Sequence, residues 1–133
     1  MKAVKVLAIA IAGYVGIVVA FESLIGFFQP AGPSTIVIRT TGEDGSTSDR
    51  VVSRLDTNDQ IYVAANHWPR AWYEEALASP EVQIVLDGET SDRLAVPVTG
   101  EEHDRVEREH RHGLAFRFVT GFPPRYFLRL DPR

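Results

Sequence analysis

Residues 69–86 read Pro-Arg-Ala-Trp-Tyr-Glu-Glu-Ala-Leu-Ala-Ser-Pro-Glu-Val-Gln-Ile-Val-Leu. Pro69 suits a helix start, where a fixed φ and a missing N–H cost nothing. Trp72, Tyr73, Ala76 and Leu77 then recur at helical spacing, with Glu74 and Glu75 facing out. Ser79-Pro80 ends this helix over about 70–79, and Val82 to Leu86 is a β-branched run suited to a strand. A short helix feeding straight into a strand points to a mixed α+β domain.

Upstream, Thr35 to Thr40, Arg50 to Leu55 and Gln60 to Ala65 are three further strand-like runs. Thr41 to Asp49 is a polar turn with two glycines, and Asp56 to Asp59 has hairpin length. Downstream, Arg93 to Val98 follows the turn Asp87-Gly-Glu89. Thr99-Gly-Glu-Glu102 matches a capping box and predicts a helix over 100–111. Arg125 to Leu130 closes the chain after Pro123-Pro124. The order β-β-β-α-β-β-α-β, dominated by hairpins, predicts a small, mostly antiparallel barrel of about six strands with two helices.

The N-terminal part is different. From Val6 to Phe28 the only charge is Glu22, and 23 residues span roughly 34 Å as helix, enough for a bilayer core. Glu22 falls near one end, where a carboxylate can reach headgroups. Phe27, Phe28 and Gln29 suit the interface, and Pro30, Gly32 and Pro33 stop the helix. The stretch reads as a retained transmembrane anchor over 1–28, with a linker over 29–33 and the barrel domain over 34–133. A cleaved signal peptide is the rival, but its apolar core is normally shorter and no A-x-A pattern follows here. Lys2 and Lys5 place the N-terminus in the cytoplasm and the body outside by the positive-inside rule.

The chain of 133 residues carries −4, and without Lys2, Lys5 and Glu22 the remainder carries −5. That sign argues against nucleic acid as a partner. The absence of cysteine excludes disulfides, thiolate metal sites and cysteine nucleophiles. No Walker loop, G-x-G-x-x-G or G-x-S-x-G occurs. His103, His110 and His112 lie in a very polar helix without an i, i+4 pair, which reads as a solvated face, not a metal site.

The distinctive cluster is His67-Trp-Pro-Arg-Ala-Trp-Tyr73. Arg70 at a helix N-terminus favours an anion, and Trp68 and Trp72 offer walls for a planar ring. Core packing of both tryptophans is the competing reading. Arg50 and Arg54, four apart on one strand, share a face and could serve one extended anionic tail.

Pro69 to Pro80 followed by Val82 to Leu86 resembles the signature of deazaflavin-dependent nitroreductases, which are split β-barrel proteins related to flavin-binding oxidoreductases. Thr40-Thr-Gly42, Gln60 to Ala65 and Leu130-Asp-Pro132 extend the resemblance over about 34–132. It implies an enzyme that uses reduced deazaflavin (coenzyme F-420), with FMN as the alternative, and passes hydride to a quinone or nitroaromatic acceptor. It places the loop Ala64 to Arg70 against the ring and Arg50 on the phosphate and tail; with the physical reading above, the expected ring pocket is Ala65, Asn66, His67, Trp68, Arg70 and Trp72, with Arg50 and Arg54 as the anion contacts. An anchor in membrane lipid would concentrate such an enzyme where a quinone partitions. A ligand-binding or structural barrel that has lost the chemistry is the alternative, and the acidic run Glu43 to Asp49 points that way.

Overall fold

The computed structural model describes residues 1–27, 32–66 and 70–133; the side chains of Gly26, Phe27 and Asn66 lie outside that description, as do Phe28 to Ala31 and His67 to Pro69. The elements are α1 (Lys2–Phe27), β1 (Thr35–Thr41), β2 (Thr47–Thr57), β3 (Gln60–Asn66), α2 (Ala71–Ala78), β4 (Glu81–Leu86), β5 (Glu89–Pro97), α3 (Gly100–Glu109), α4 (Leu114–Val119) and β6 (Arg125–Pro132). The chain separates into two compact units, one of residues 1–29 with 112–123, the other of residues 30–111 with 124–133.

The larger unit is a closed barrel in the order β1-β2-β3-β6-β5-β4, with every described pairing antiparallel. Two tight hairpins set its register. Asn58 and Asp59 both take positive φ between β2 and β3, as do Asp87 and Gly88 between β4 and β5. This is the turn geometry whose twist matches that of paired strands. It lets β2 and β5 run longer than their apolar residues suggest. Alternation then does the rest: Ile36, Ile38, Val52, Val63, Ala65, Val82, Ile84, Ala95, Leu128 and Leu130 fill the interior with Trp72 and Ala76 of α2.

A second cluster lies on the opposite face of β3 and β6, where Tyr62 and Phe127 meet Val98 and Val106 of α3. Four sequence expectations need correction here. The α3 face bearing His103, Val106 and His110 is docked, not solvated: Val106 is fully buried, His103 Nε2 lies 2.8 Å from the Arg125 carbonyl, and His110 Nε2 lies 3.2 Å from that of Asp56. Thr99 is the N-cap but its side chain makes no cap hydrogen bond, and the Glu102 side chain turns to the strands instead of back to Thr99. On α2, Leu77 is exposed, and Glu75 turns in toward the barrel. Finally, the body has a third helix, α4.

The smaller unit holds α1 and α4. Residues Lys2–Ile25 of α1 are long and apolar enough to cross a membrane, and their most apolar window is only 6% buried, unlike the core helix of a soluble protein. Glu22 is the exception to that exposure. It is 2% exposed, so it does not reach outward as its position near the helix end suggested. The Tyr14 hydroxyl donates to the Phe118 carbonyl at 2.7 Å, and Phe21 meets Phe116 edge to face.

Candidate functional site

The α2 end of the barrel gathers most of the residues singled out above. Arg70 is the N-cap of α2, in extended conformation. Two turns of helix then carry Trp72 and Ala76 inward, four apart on one face, so α2 is held by the interior cluster. Trp72 is 6% exposed and Ala65 4%, so both are packed in the core. Tyr73 meets Trp72 edge to face at 5.9 Å and lies 6.0 Å from Tyr126. Burial raises the Tyr73 hydroxyl above its ordinary pKa, keeping it protonated. Asn66 pairs with Arg125 at the end of β3. His67, Trp68 and the Asn66 side chain lie outside the described residues.

Arg50 pairs with Ile38 and Arg54 with Val63, so both arginines share the face of buried Val52. The period-two reading of that strand holds. Their surroundings differ, however. Arg54 is bound to Asp56 at 2.9 Å, whereas Arg50 has no ion-pair partner among the described residues. Arg50 stands between Ser48, which donates to Glu75 at 3.2 Å, and Val52, which packs in the cluster with Trp72. It therefore lies on the face that α2 covers.

The turn after β1 is acidic in space as well as in sequence. Glu75 accepts a hydrogen bond from the buried Thr40 hydroxyl as well as from Ser48. A Cβ placed on Gly42 would lie 3.2 Å from an oxygen of Asp44 and 3.6 Å from one of Glu75, so two carboxylates flank this glycine. Hydrogen bonds from Ser46 hold the Asp44 carboxyl below its ordinary pKa, and the Arg39 guanidinium, 2.6 Å away, does the same for Asp49. Asp44 and Asp49 are therefore charged at neutral pH.

A second polar constellation, on the α3 side, escaped the sequence reading. Glu102 accepts from the Tyr62 hydroxyl at 2.7 Å and from Arg129 at 2.9 and 3.0 Å, and Arg129 also binds Asp131. Burial first, then the Glu102 carboxylate, raises the pKa of Tyr62; the hydroxyl and Arg129 lower that of Glu102. Beside it an open cavity of about 700 Å³ is lined by Asn58, Gln60, Glu101, Glu102, Asp104, Arg105 and Arg108. The residues are far apart in sequence, and only the alternation that turns Tyr62 away from the barrel interior hinted at them. Among the described residues, no group of three histidine or acidic side chains could hold a metal ion.

No family model matches the chain, and no curated protein does either. Solved structures do. An F-420-H2 dependent reductase (FDR-A) superposes with a TM-score of 0.53 at 18% identity, covering 72% of this chain and 94% of its own. A putative pyridoxamine 5'-phosphate oxidase from Listeria innocua gives 0.54 at 13% identity, over 84% and 91%. The fold is a split β-barrel. A heme storage protein from Vibrio cholerae, HutZ, shares it too, with a TM-score of 0.54 at 16% identity over 75% and 82%. The split barrel therefore serves different ligands, and the chemistry has to be argued from the site.

Proposed function

We propose that this protein is a membrane-anchored oxidoreductase of the split-barrel type, which binds a flavin or deazaflavin at the α2 end and reduces a lipid-soluble acceptor such as a quinone. The observation that carries the reading is Arg50, an arginine without an ion-pair partner among the described residues, on the barrel face that α2 covers, with Arg70 at the α2 N-terminus. The names of two structural neighbours, an F-420-H2 dependent reductase and a putative pyridoxamine 5'-phosphate oxidase, support it.

The residues present fit a planar ring bearing one anionic group. They do not fit an extended polyanion, because Asp44 and Glu75 flank Gly42 and Arg54 is already neutralised by Asp56. FMN, with its single phosphate, suits this end better than a coenzyme with an oligoglutamate tail. When bound, such a cofactor supplies the hydride. The chain supplies Arg50 and Arg70 for the phosphate and the packed Trp72 and Ala65 as a rigid base for the surrounding residues. Membrane side and cofactor are linked. Lys2 and Lys5 put the barrel outside, which a flavin tolerates and a cytoplasmic deazaflavin does not.

Titration of the full chain in detergent with FMN and with coenzyme F-420, followed by fluorescence, tests the reading. FMN should bind more tightly than F-420, and Arg50→Ala should weaken it about tenfold or more, as loss of a charge-assisted hydrogen bond does. Absence of binding by either cofactor would favour the second reading, a barrel without redox chemistry. The full burial of Trp72 and the carboxylates around Gly42 support that alternative.

A further inference from the structure

We propose that residues 112–123 are a second membrane-inserted element, which enters the hydrocarbon of one leaflet beside the Tyr14-to-Phe21 half of α1. The proposal rests on the anchor reading of α1 and extends it to a segment that no sequence feature marked as membrane. Three independent observations carry it.

The first is where apolar surface is left open. Among the described residues, seventeen large hydrophobic side chains are exposed; nine lie on α1, Met1 precedes it, and four, Leu114, Phe116, Phe118 and Phe122, lie in 112–123. Only three belong to the barrel unit, and they are scattered along the chain. Leu114 is 71% exposed and Phe118 51%. Single exposed apolar residues need no explanation, but a patch continuous with a span-length helix does.

The second is the state of the backbone. In water, the last carbonyls of a helix can be left to solvent; in hydrocarbon each must be bonded within the protein. Three of the last four α4 carbonyls, those of Phe116, Arg117 and Phe118, are bonded in this way. Phe122 N–H donates to Arg117 O at 2.8 Å and Gly121 N–H to Phe118 O at 3.2 Å, the paired bonds of a Schellman end. Thr120 adds its N–H and hydroxyl to Phe116 O, and the Tyr14 hydroxyl reaches Phe118 O. Gly121 makes this close approach possible. Its φ is +81°, and a Cβ there would stand 3.2 Å from Val18 Cγ1.

The third is charge. From His110 to Leu130 there is no acidic residue, in a body that is otherwise acidic. Arg111 precedes the segment and Arg117 lies within it, its guanidinium 5.6 Å from the Phe122 ring centroid. Arg111, which precedes the segment, can extend from the boundary to lipid phosphates, where a carboxylate would be repelled. The single acid of α1, Glu22, is withdrawn to 2% exposure.

Tyr14 is near the middle of the span-length segment Lys2–Ile25, and Phe21 is about 10 Å further along the axis. The α4 contacts at these two residues therefore fall in the hydrocarbon of a spanning α1.

The chain has no cysteine, so single labelling sites are clean. The full-length protein in phosphatidylcholine–phosphatidylglycerol vesicles would carry a fluorophore at Phe118→Cys, at Ile11→Cys on α1, or at Thr90→Cys on the β4–β5 hairpin. Nitroxide lipids report contact with acyl chains, and iodide reports contact with water. Phe118→Cys should follow Ile11→Cys, strongly quenched by lipid and protected from iodide, while Thr90→Cys shows the reverse. If Phe118→Cys behaves like Thr90→Cys while Ile11→Cys is lipid-quenched, this proposal fails and the anchor stands. If Ile11→Cys is itself open to iodide, the anchor reading fails and takes this one with it. Protection at 118 from both quenchers would mean a protein partner and would also overturn it. Leu114→Cys, at the most exposed large apolar side chain of α4, repeats the measurement should Phe118→Cys disturb packing.

Discussion

Helices α2 and α3 flank the same barrel, and both turn carboxylates toward the strands: Glu75 on α2, and Glu102, Glu107 and Glu109 on α3. Glu102 of α3 is met by a cation, Arg129, and by the Tyr62 hydroxyl. Glu75 of α2 is met by two hydroxyls, those of Thr40 and Ser48, and by no cation among the described residues. The α3 carboxylate is neutralised and tied into a network, which is how a partly buried charge contributes to folding. The α2 end keeps a negative charge at Glu75 and a positive one at Arg50, on one face and unpaired with each other. On the proposed reading, α3 serves structure and α2 the ligand.

The strongest challenge to that assignment is Trp72, which belongs to the candidate site and to the core at once. Trp72→Ala removes a buried aromatic from the interior cluster and should cost about 3–5 kcal/mol. Thermal unfolding of the full chain in detergent, read by circular dichroism, checks this. A loss under about 1 kcal/mol would mean that Trp72 is a site wall and not a core residue.

Glu102→Ala comes next. It leaves the buried Tyr62 hydroxyl with Gln60 and Arg105 as partners and strips Arg129 of one of its two acids. About 2 kcal/mol of stability should go, as for a hydrogen bond to a charged group. FMN binding, if it occurs at the α2 end, should be unchanged. An equal loss of binding would merge the two regions into one site.

The same network predicts a pH effect smaller than the deletion. The folded-state pKa of Glu102 is below its ordinary value, through the Tyr62 hydroxyl first and Arg129 second. Its contribution is therefore complete above the unfolded pKa of about 4.3 and is lost as the pH falls through the folded value. Melting temperatures measured from pH 7 down to about 3 should fall less steeply for Glu102→Gln than for the wild type. Parallel profiles would show that the ion pair contributes nothing measurable. Asp44 and Asp49 have lowered pKa values too, but they are exposed to solvent and screened.

Much of the barrel was legible because alternation and turn residues are local signals. The six strands, the shared face of Arg50 and Arg54, and the two helices around 71–78 and 100–109 follow from periodicity within a dozen residues. Whatever depends on a distant partner was not legible. Glu102 has the spacing of a helix cap, but a tyrosine forty residues away and an arginine near the C-terminus compete for it and win. Glu75 has the position of a solvated residue, but Thr40 and Ser48 come beneath it only when β1 and β2 pair. Helix α4 is six residues, too short for a period to declare itself, and its partner is at the other end of the chain. His103 and His110 looked solvated because Val106 is a small apolar face, yet it docks against Tyr62 and Phe127.

The smallest effect discriminates most finely between the two carboxylates. Glu75→Gln keeps an acceptor for the Thr40 and Ser48 hydroxyls and removes only the charge, so stability should change by no more than about 0.5 kcal/mol. Its effect should appear in binding instead. A like charge near a phosphate in a solvent-accessible setting opposes binding by roughly 1 kcal/mol or less, so the affinity for FMN should rise by up to about fivefold. The gain should shrink in high salt, because it is Coulombic, and it should be largest for the more highly charged F-420. Glu102→Gln serves as the control: the same chemical change on α3 should lower stability and leave affinity alone. Should Glu75→Gln leave both cofactors' affinities unchanged while Arg50→Ala weakens them, Arg50 would be confirmed and the acidic turn would be shown to lie outside the reach of the ligand. Should neither variant alter binding, the α2 end would lose its claim, and the open cavity beside α3, lined by Arg105 and Arg108, would become the place to search.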